Sequence, residues 1–459
     1  MKRWLQSLQR HKCELLVGLL RVVLYAGLGL CFFGMMSIRN WPLRHLSRTL
    51  ATTLLTWAIA TLAMHAVYGG YDVGKRKDRP IISGLSLAVL FTDLITYVQL
   101  QIMNVNENNN ATLQLFGPDL LLLAAALAAQ LALILLLVRY GNRLYFSLVP
   151  PRRCLLIADD PRKEAAMREK LQRYRLQWQV TDAAPSWAAD LPRRAEEAEL
   201  VVLADVPPEK REALMRMCYD AHRDVICRTD LQDILLNAAE PLIIDDAPCL
   251  SMPFYKMKFS QRVIRRVLDI VISLLVLTVT APLMAVIALF IRLEDGGPAI
   301  FRQERATIGG RVFSICKFRT MKVEASNQAH QVSAEKDDDR ITRVGRVLRN
   351  TRLDELPQFW NILRGDMTIV GPRPEMLDNV ERYKKQYPDF VYREKAKAGL
   401  TGYAQIEGRY NTTAEDKLML DLMYIENNSL WNDLRLMLRT LTVFFRKDST
   451  EGFERREEE

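Results

Sequence analysis

Two adjacent carboxylates, Asp354 and Glu355, lie in the run Leu353-Asp-Glu-Leu-Pro-Gln358, with Arg349 five residues before Asp354. Leu353, Leu356, Phe359, Trp360 and Leu363 surround the acids with apolar surface, which places the pair at the edge of a core. A partly desolvated carboxylate beside an arginine could act as a nucleophile or as a Mg²⁺ ligand. On a helix, neighbouring residues diverge by about 100°, so the two acids need not share one role. Gly371-Pro-Arg-Pro374 follows. Prolines on both sides of Arg373 fix the backbone that carries its guanidinium, as a diphosphate clamp requires. Upstream, Val312–Met321 reads as a strand that projects Lys317 and Arg319 to one face, where basic side chains suit phosphate oxygens. Downstream, the glycine-punctuated loop Lys397–Gly408 runs into Arg409.

Phosphate chemistry agrees with the charge. The 459 residues include 63 Lys+Arg against 54 Asp+Glu, a net charge of +9. The cations cluster beside apolar runs, which argues against nucleic acid and for anionic lipid or phosphorylated substrates. The seven cysteines and five histidines are scattered without metal-ligand or disulfide spacing.

The elements that must position this chemistry fall into three stretches. In 1–145, four apolar runs, Leu15–Met36, Leu46–Tyr68, Ile81–Met103 and Leu115–Val138, are each about the ~20 residues that cross a bilayer. Basic residues at the N-terminus, around 75–79 and after the fourth run place both ends of the bundle in the cytoplasm, although Arg39, Arg44 and Arg48 run against this bias. Arg21 and Asp93 fall inside spans, where a mutual salt bridge would neutralise them. In 146–250, strands alternate with helices as in a Rossmann-like parallel sheet. No glycine occurs between Asn142 and Glu294, so the G-x-G-x-x-G fingerprint of dinucleotide binding is missing. The third stretch, 251–459, opens with a fifth apolar run, about 263–293, broken at Ala281-Pro282 and basic on both flanks. A re-entrant hairpin, in and out of the same face, satisfies both features; the alternative, a plain fifth span, would put the basic C-terminal stretch outside the cell, away from nucleotide substrates. Thr278 and Thr280 could serve the carbonyls that the proline frees. Leu430–Phe445 reads as an amphipathic helix suited to a membrane surface. The fold expected is membrane α plus α/β, with a mainly helical catalytic domain.

In order, Phe301–Arg305, Lys317–Met321, Asp339–Gly345, Leu353–Gln358, Gly365–Pro374 and Gly399–Gln405 resemble the bacterial sugar transferase family, the monotopic polyprenyl-phosphate phosphoglycosyl transferases. The resemblance runs from about Phe254 to Lys447. The preceding bundle and Rossmann-like domain look like the family's long form, which primes exopolysaccharide and capsule assembly. It implies that a UDP-sugar gives its phosphosugar to undecaprenyl phosphate and releases UMP, in two steps with Mg²⁺. It implies Asp354 as nucleophile, Glu355 as its orienting or proton-transfer partner, and the metal on one or both. Lys317, Arg319, Thr320, Arg349, Pro372, Arg373, Pro374 and Arg409 would bind substrates. The resemblance further implies a homodimer in the cytoplasmic (inner) membrane of a bacterium, multi-pass, with the catalytic domain on the cytoplasmic face. The chain departs from the family pattern at Ala281, Arg352, Ala398 and Tyr403, where serine, serine, proline and tryptophan are usual.

Two other readings compete. A catalytically inactive scaffold of polysaccharide assembly would not need the acid pair and its arginines. A membrane nucleotide-sugar dehydratase would need a glycine-rich NAD loop beside its Tyr-x-x-x-Lys site, and the sequence lacks that loop.

Overall fold

The structure, a computed structural model, describes residues 2–107, 113, 115–252, 257–322, 338–408 and 412–445. The chain forms two compact units, 1–228 and 229–459.

The first unit begins with four long helices, α1 (Lys2–Met36), α2 (Arg48–Tyr68), α3 (Asp78–Glu107) and α4 (Pro118–Leu148). Each contains a stretch long and apolar enough to span a membrane. They pack through Leu24, Leu28, Tyr71, Leu85, Ile134 and Val138, while Leu15, Leu62 and Leu121 face outward. Apolar side chains on the outside as well as the inside are what a lipid solvent selects. Gly141 lets the chain approach closely: a Cβ there would lie 2.2 Å from the Tyr71 hydroxyl, which donates to the Leu137 carbonyl. Asn142 accepts from Gly74 N–H and donates to Asp78, tying α4 to the basic loop before α3.

The expected Arg21–Asp93 salt bridge does not form. Arg21 donates to the Tyr71 carbonyl, whereas Asp93 accepts from Gln130, whose amide also donates to the Leu28 carbonyl. Leu28 lies seven residues beyond Arg21 along α1, a rise of about 10 Å. The two charges therefore sit at different heights in the bundle.

A four-stranded parallel sheet follows, in the order β2-β1-β3-β4. Its strands are β1 (Arg152–Ala158), β2 (Trp178–Ala184), β3 (Leu200–Asp205) and β4 (Asp224–Cys227), with helices α5 (Pro161–Gln172), α6 (Leu191–Glu197) and α7 (Pro208–Asp220) between them. Both faces are covered, Leu155, Ile157, Val201 and Leu203 toward one side, Cys154, Leu156, Val202 and Ala204 toward the other. This is the continuous apolar strand pattern of a doubly covered sheet. Where a dinucleotide fold has glycines, the β1–α5 turn carries carboxylates. Asp160 caps α5 by accepting from Arg162 N–H, and Asp159 accepts from the Ser186 N–H and hydroxyl.

The second unit starts with α8 (Leu231–Asn237) and the antiparallel hairpin β5 (Glu240–Ile244)–β6 (Ala247–Ser251). These residues, which the sequence reading attached to the Rossmann-like stretch, fall in this unit because Ile234 packs against Val380, Phe390, Leu418 and Leu422. The fifth apolar run is the helix α9 (Phe259–Asp295), with Pro282 inside it. The hairpin β7 (Ile300–Ala306)–β8 (Val312–Phe318) turns at Gly309 and Gly310, both at positive φ. Then come α10 (Arg343–Thr351), α11 (Gln358–Arg364), β9 (Thr368–Val370), α12 (Leu377–Gln386), β10 (Gly399–Thr401), α13 (Tyr403–Glu407), α14 (Ala414–Glu426) and α15 (Leu430–Thr440). β9 and β10 pair in parallel.

Both ends of α9 are fastened within this unit. Near its start, Asp269 accepts from Ile369 N–H at 3.0 Å and the Thr368 hydroxyl at 2.8 Å. Arg266 donates to the Ile362 and Leu363 carbonyls at the end of α11, where a cation complements the helix dipole. Arg265 meets Asp433 at 2.9 Å, the Val370 carbonyl and the Tyr424 hydroxyl. Near its end, Ile287 and Ile291 pack with Phe318 and Leu348, Glu294 accepts from the first N–H groups of α10, and Asp295 pairs with Arg319. Between these anchors Leu274, Leu275, Val279 and Leu283 are exposed. The Thr280 hydroxyl donates to Val276, not to the Thr278 carbonyl that Pro282 deprives of its N–H partner.

The ion pair at Asp433 yields a test. Asp433→Ala strands the largely buried Arg265, and losing one partner of a buried pair costs about 3–5 kcal/mol. The thermal midpoint of the solubilised protein is expected to fall on the order of 10 °C, and less in Asp433→Asn, which keeps a hydrogen-bond acceptor. Equal midpoints for wild type and Asp433→Ala would contradict the anchor.

Candidate active site

The acid pair owes its geometry to the end of α10. Arg352 adopts the left-handed conformation, φ 56° and ψ 19°, and stops the helix. A single 3-10 turn, Leu353–Glu355, follows before Pro357 opens α11. Leu353 and Leu356 pack on the cluster of Ile287, Ile291, Phe318 and Leu348. The acids are therefore pinned, through the leucines on either side, to the apolar helix α9. At about 3.0 residues per turn, consecutive side chains diverge even more than on an α-helix.

That divergence separates their surroundings. Glu355 meets Lys317 at 3.2 Å and Arg373 at 3.4 Å. Among the described residues, no hydrogen bond or ion pair engages Asp354. Asn361 sets the spacing, because its side chain accepts from Cys316 N–H and donates to the Ser314 carbonyl, locking α11 to β8 beside Lys317. Arg349 donates to the Thr320 hydroxyl at 2.9 Å. Gly345 permits this approach, since a Cβ there would lie 2.1 Å from the Thr320 carbonyl oxygen.

Arg373 stands on a rigid base. Gly371 N–H donates to Thr401 and Gly399 N–H to Pro372, tying the loop to β10. A Cβ on Gly399 would come within 2.1 Å of Gly371 N. Pro372 and Pro374 are buried, and Arg373 reaches out from between them.

Most of the residues singled out from sequence converge here: Asp354, Glu355, Lys317, Arg349, Thr320, Pro372, Arg373 and Pro374. Arg319 does not join them. It is 3% exposed and its guanidinium is committed to Asp295, so strand alternation grouped two neighbouring cations that serve different partners. Arg409 lies outside the described residues. The sequence reading missed Arg305, which donates to the Pro374 carbonyl behind the loop, and Asn361, a lone amide among apolar residues whose signal was visible.

Electrostatics divide the pair further. Burial first, then the Glu355 charge, push the Asp354 carboxyl up to about 6, against the pull of Lys317, Arg349 and Arg373. Burial acts on Glu355 too, but Lys317, Arg373 and Arg352 together outweigh it and hold that carboxyl down at about 2. Burial and then the Arg373 charge lower Arg305 to about 10. Pairs pushed apart in this way mark acid–base sites. The arrangement is one available carboxylate, its neighbour locked in a cation bridge, and further cations close by: a centre suited to phosphate chemistry on the mainly helical second unit.

Comparison with known proteins agrees. The chain belongs to the bacterial sugar transferase family. The family profile, described as bacterial sugar transferase, matches residues 260–447. A UDP-glucose:undecaprenyl-phosphate glucose-1-phosphate transferase of Caulobacter vibrioides is 43% identical over 190 residues, 40% of this chain and 71% of that protein. A UDP-N-acetylgalactosamine-undecaprenyl-phosphate N-acetylgalactosaminephosphotransferase of Aeromonas hydrophila is 40% identical over 39% of this chain and 43% of its own length. A UDP-glucose:undecaprenyl-phosphate glucose-1-phosphate transferase of Escherichia coli is 40% identical over 42% of each chain. With the latter two, the similarity spans about two-fifths of the relative's length.

The raised Asp354 carboxyl yields a stability prediction. Its folded value, about 6, lies above the unfolded value of 3.8. Ionisation therefore opposes folding, by nothing below about pH 4 and fully above about pH 6. Asp354→Asn is expected to stabilise the protein at pH 7 by on the order of 2 kcal/mol, with the gain vanishing near pH 4. Denaturation of both proteins at the two pH values decides it, and a destabilised variant at pH 7 would refute this electrostatic picture.

Proposed function

We propose that this protein transfers a phosphosugar from a UDP-sugar to undecaprenyl phosphate, the first membrane step of exopolysaccharide or capsule biosynthesis. The observation that carries this reading is the split acid pair, in which Asp354 is unengaged and Glu355 is held between Lys317 and Arg373. The names of the relatives supply the substrate classes.

In the proposed first step an Asp354 oxygen attacks the β-phosphorus of the donor. The bond between that phosphorus and the bridging oxygen breaks, and UMP leaves with the electron pair. In the second step an oxygen of undecaprenyl phosphate attacks the aspartyl-phosphosugar and frees the carboxylate. A covalent intermediate divides one difficult displacement into two. Arg373, Arg349 and Lys317 would neutralise the phosphates, and preorganised cations in a water-poor site are worth more than in solution. Glu355 keeps Lys317 and Arg373 converged on that space.

Mg²⁺ fits this donor set as a guest of the substrate. Among the described residues, no group of three or more Asp, Glu, His or Cys side chains could hold a metal. Asp354 has free oxygens, and Mg²⁺ commonly rests on one or two carboxylates plus substrate phosphates. When bound, it would supply charge neutralisation at the diphosphate.

The reading extends to the membrane. Both ends of α9 are anchored in the second unit, its middle is apolar and exposed, and Pro282 lies inside it. These features support a re-entrant helix that enters and leaves by one face. The basic loops support placing the catalytic unit on the cytoplasmic face of the inner membrane, and the homodimer implied by the long form belongs to the same proposal. The relatives act on different sugars, so the donor must be found by assay.

Solubilised protein with undecaprenyl phosphate, Mg²⁺ and a panel of UDP-sugars is expected to release UMP with one donor. Asp354→Asn should reduce release to background, and a chelator should stop it. Well-folded protein that releases UMP with none of the donors, or an Asp354→Asn enzyme as fast as wild type, would defeat the reading. The rate should also fall on the acid side with a midpoint near pH 6, as Asp354 takes up its proton. In Glu355→Gln, the residual activity should show that midpoint at lower pH, because the neighbouring negative charge is gone. An unmoved limb would mean that another group titrates.

A further inference from the structure

Behind the proline-flanked Arg373 lies a buried ion pair that takes no part in the reaction described above. Arg393, in the 3-10 segment Pro388–Lys395, is 7% exposed, and Asp421 on α14 is 1% exposed. Arg393 Nε donates to Asp421 Oδ2 at 2.7 Å, and its NH2 nitrogen donates to the Arg373 carbonyl at 2.9 Å. A buried pair of this kind is weak evidence of stabilisation, because removing two charges from water offsets most of their attraction. Its geometry indicates another role. The Pro372 carbonyl is held by Gly399 N–H, the Arg373 carbonyl by Arg393, and the Pro374 carbonyl by Arg305. Of these holders only Arg393 is oriented by a buried carboxylate of its own. Proline fixes φ at 372 and 374 and narrows the conformations of the residue before it, and holding the Arg373 carbonyl restrains the rotation about Cα that would swing its side chain.

We propose that Arg393, oriented by Asp421, is a positioning residue that sets the direction of Arg373 toward the donor phosphates. The inference rests on the transferase reading. Arg393 touches no substrate and acts through the Arg373 backbone. Its planar fork donates to a carboxylate and a carbonyl at once, and a lysine ammonium does not reproduce that geometry. A displacement of about 1 Å at a positioned group can cost on the order of 100-fold in rate.

The test is a double-mutant cycle on UMP release. Arg393→Lys is expected to lower kcat by roughly 10- to 100-fold, with donor KM changed less than about threefold and the thermal midpoint nearly kept. In an Arg373→Ala background the same change should cost less than about threefold, because the residue it positions is gone. Asp421→Asn should follow the same pattern. Equal losses in both backgrounds, or a lower midpoint with unchanged kcat, would make Arg393 structural only and overturn the proposal. Should wild type release no UMP, the transferase reading fails, and the cycle is then read from thermal protection by inorganic pyrophosphate. Weaker protection in Arg393→Lys, absent in the Arg373→Ala background, supports the positioning role. Equal protection of wild type and Arg393→Lys, or none of either, overturns it.

Discussion

The two-ended attachment of α9 is the constraint on which the second unit depends. One anchor, Asp269 with Arg265, grips β9 immediately before the Gly-Pro-Arg-Pro turn. The other, Glu294 with Ile287 and Ile291, grips α10 and the leucines that flank the acids. Arg373 and Asp354 thus hang from opposite ends of one apolar helix. Anything that changes its path changes the distance between clamp and carboxylate. Charges that would be costly to bury alone are tolerated at these anchors because each has a partner of opposite sign or a row of backbone groups.

Within that frame the acid pair works by inequality. Two carboxylates in one site cannot be ionised equally easily. The 3-10 turn resolves the conflict by giving one acid two cations and leaving the other to feel burial. Lys317 and Arg373 are therefore held by Glu355 as much as they stabilise it.

Much of this was legible in the sequence, where local rules decide the outcome. Apolar runs of spanning length, strands alternating with helices, the glycine turn before β8 and the Leu-Asp-Glu-Leu-Pro run all declare themselves through periodicity or turn chemistry. What failed was pairing at a distance. Arg21 and Asp93 were matched by sign, but helix rise puts them at different heights. Lys317 and Arg319 were matched by strand alternation, but Asp295 claims the second. Arg305 and Arg393 were invisible as site residues, and Asn361 showed itself as an amide among apolar residues but not its partners, because these roles arise only when α11, β7 and the segment before β10 come together. The sequence carries the residue but not its partner.

Arg352 has a consequence of its own. A side chain in the left-handed region carries a backbone penalty of roughly 1 kcal/mol or more that glycine would not. Here the residue also lends its positive charge to Glu355. Backbone ease and charge therefore pull this position in opposite directions. A chain selected for robustness alone would drift to glycine here and lose a cation from the site. Holding the arginine keeps that charge beside Glu355 and leaves the chain slightly less stable than it could be.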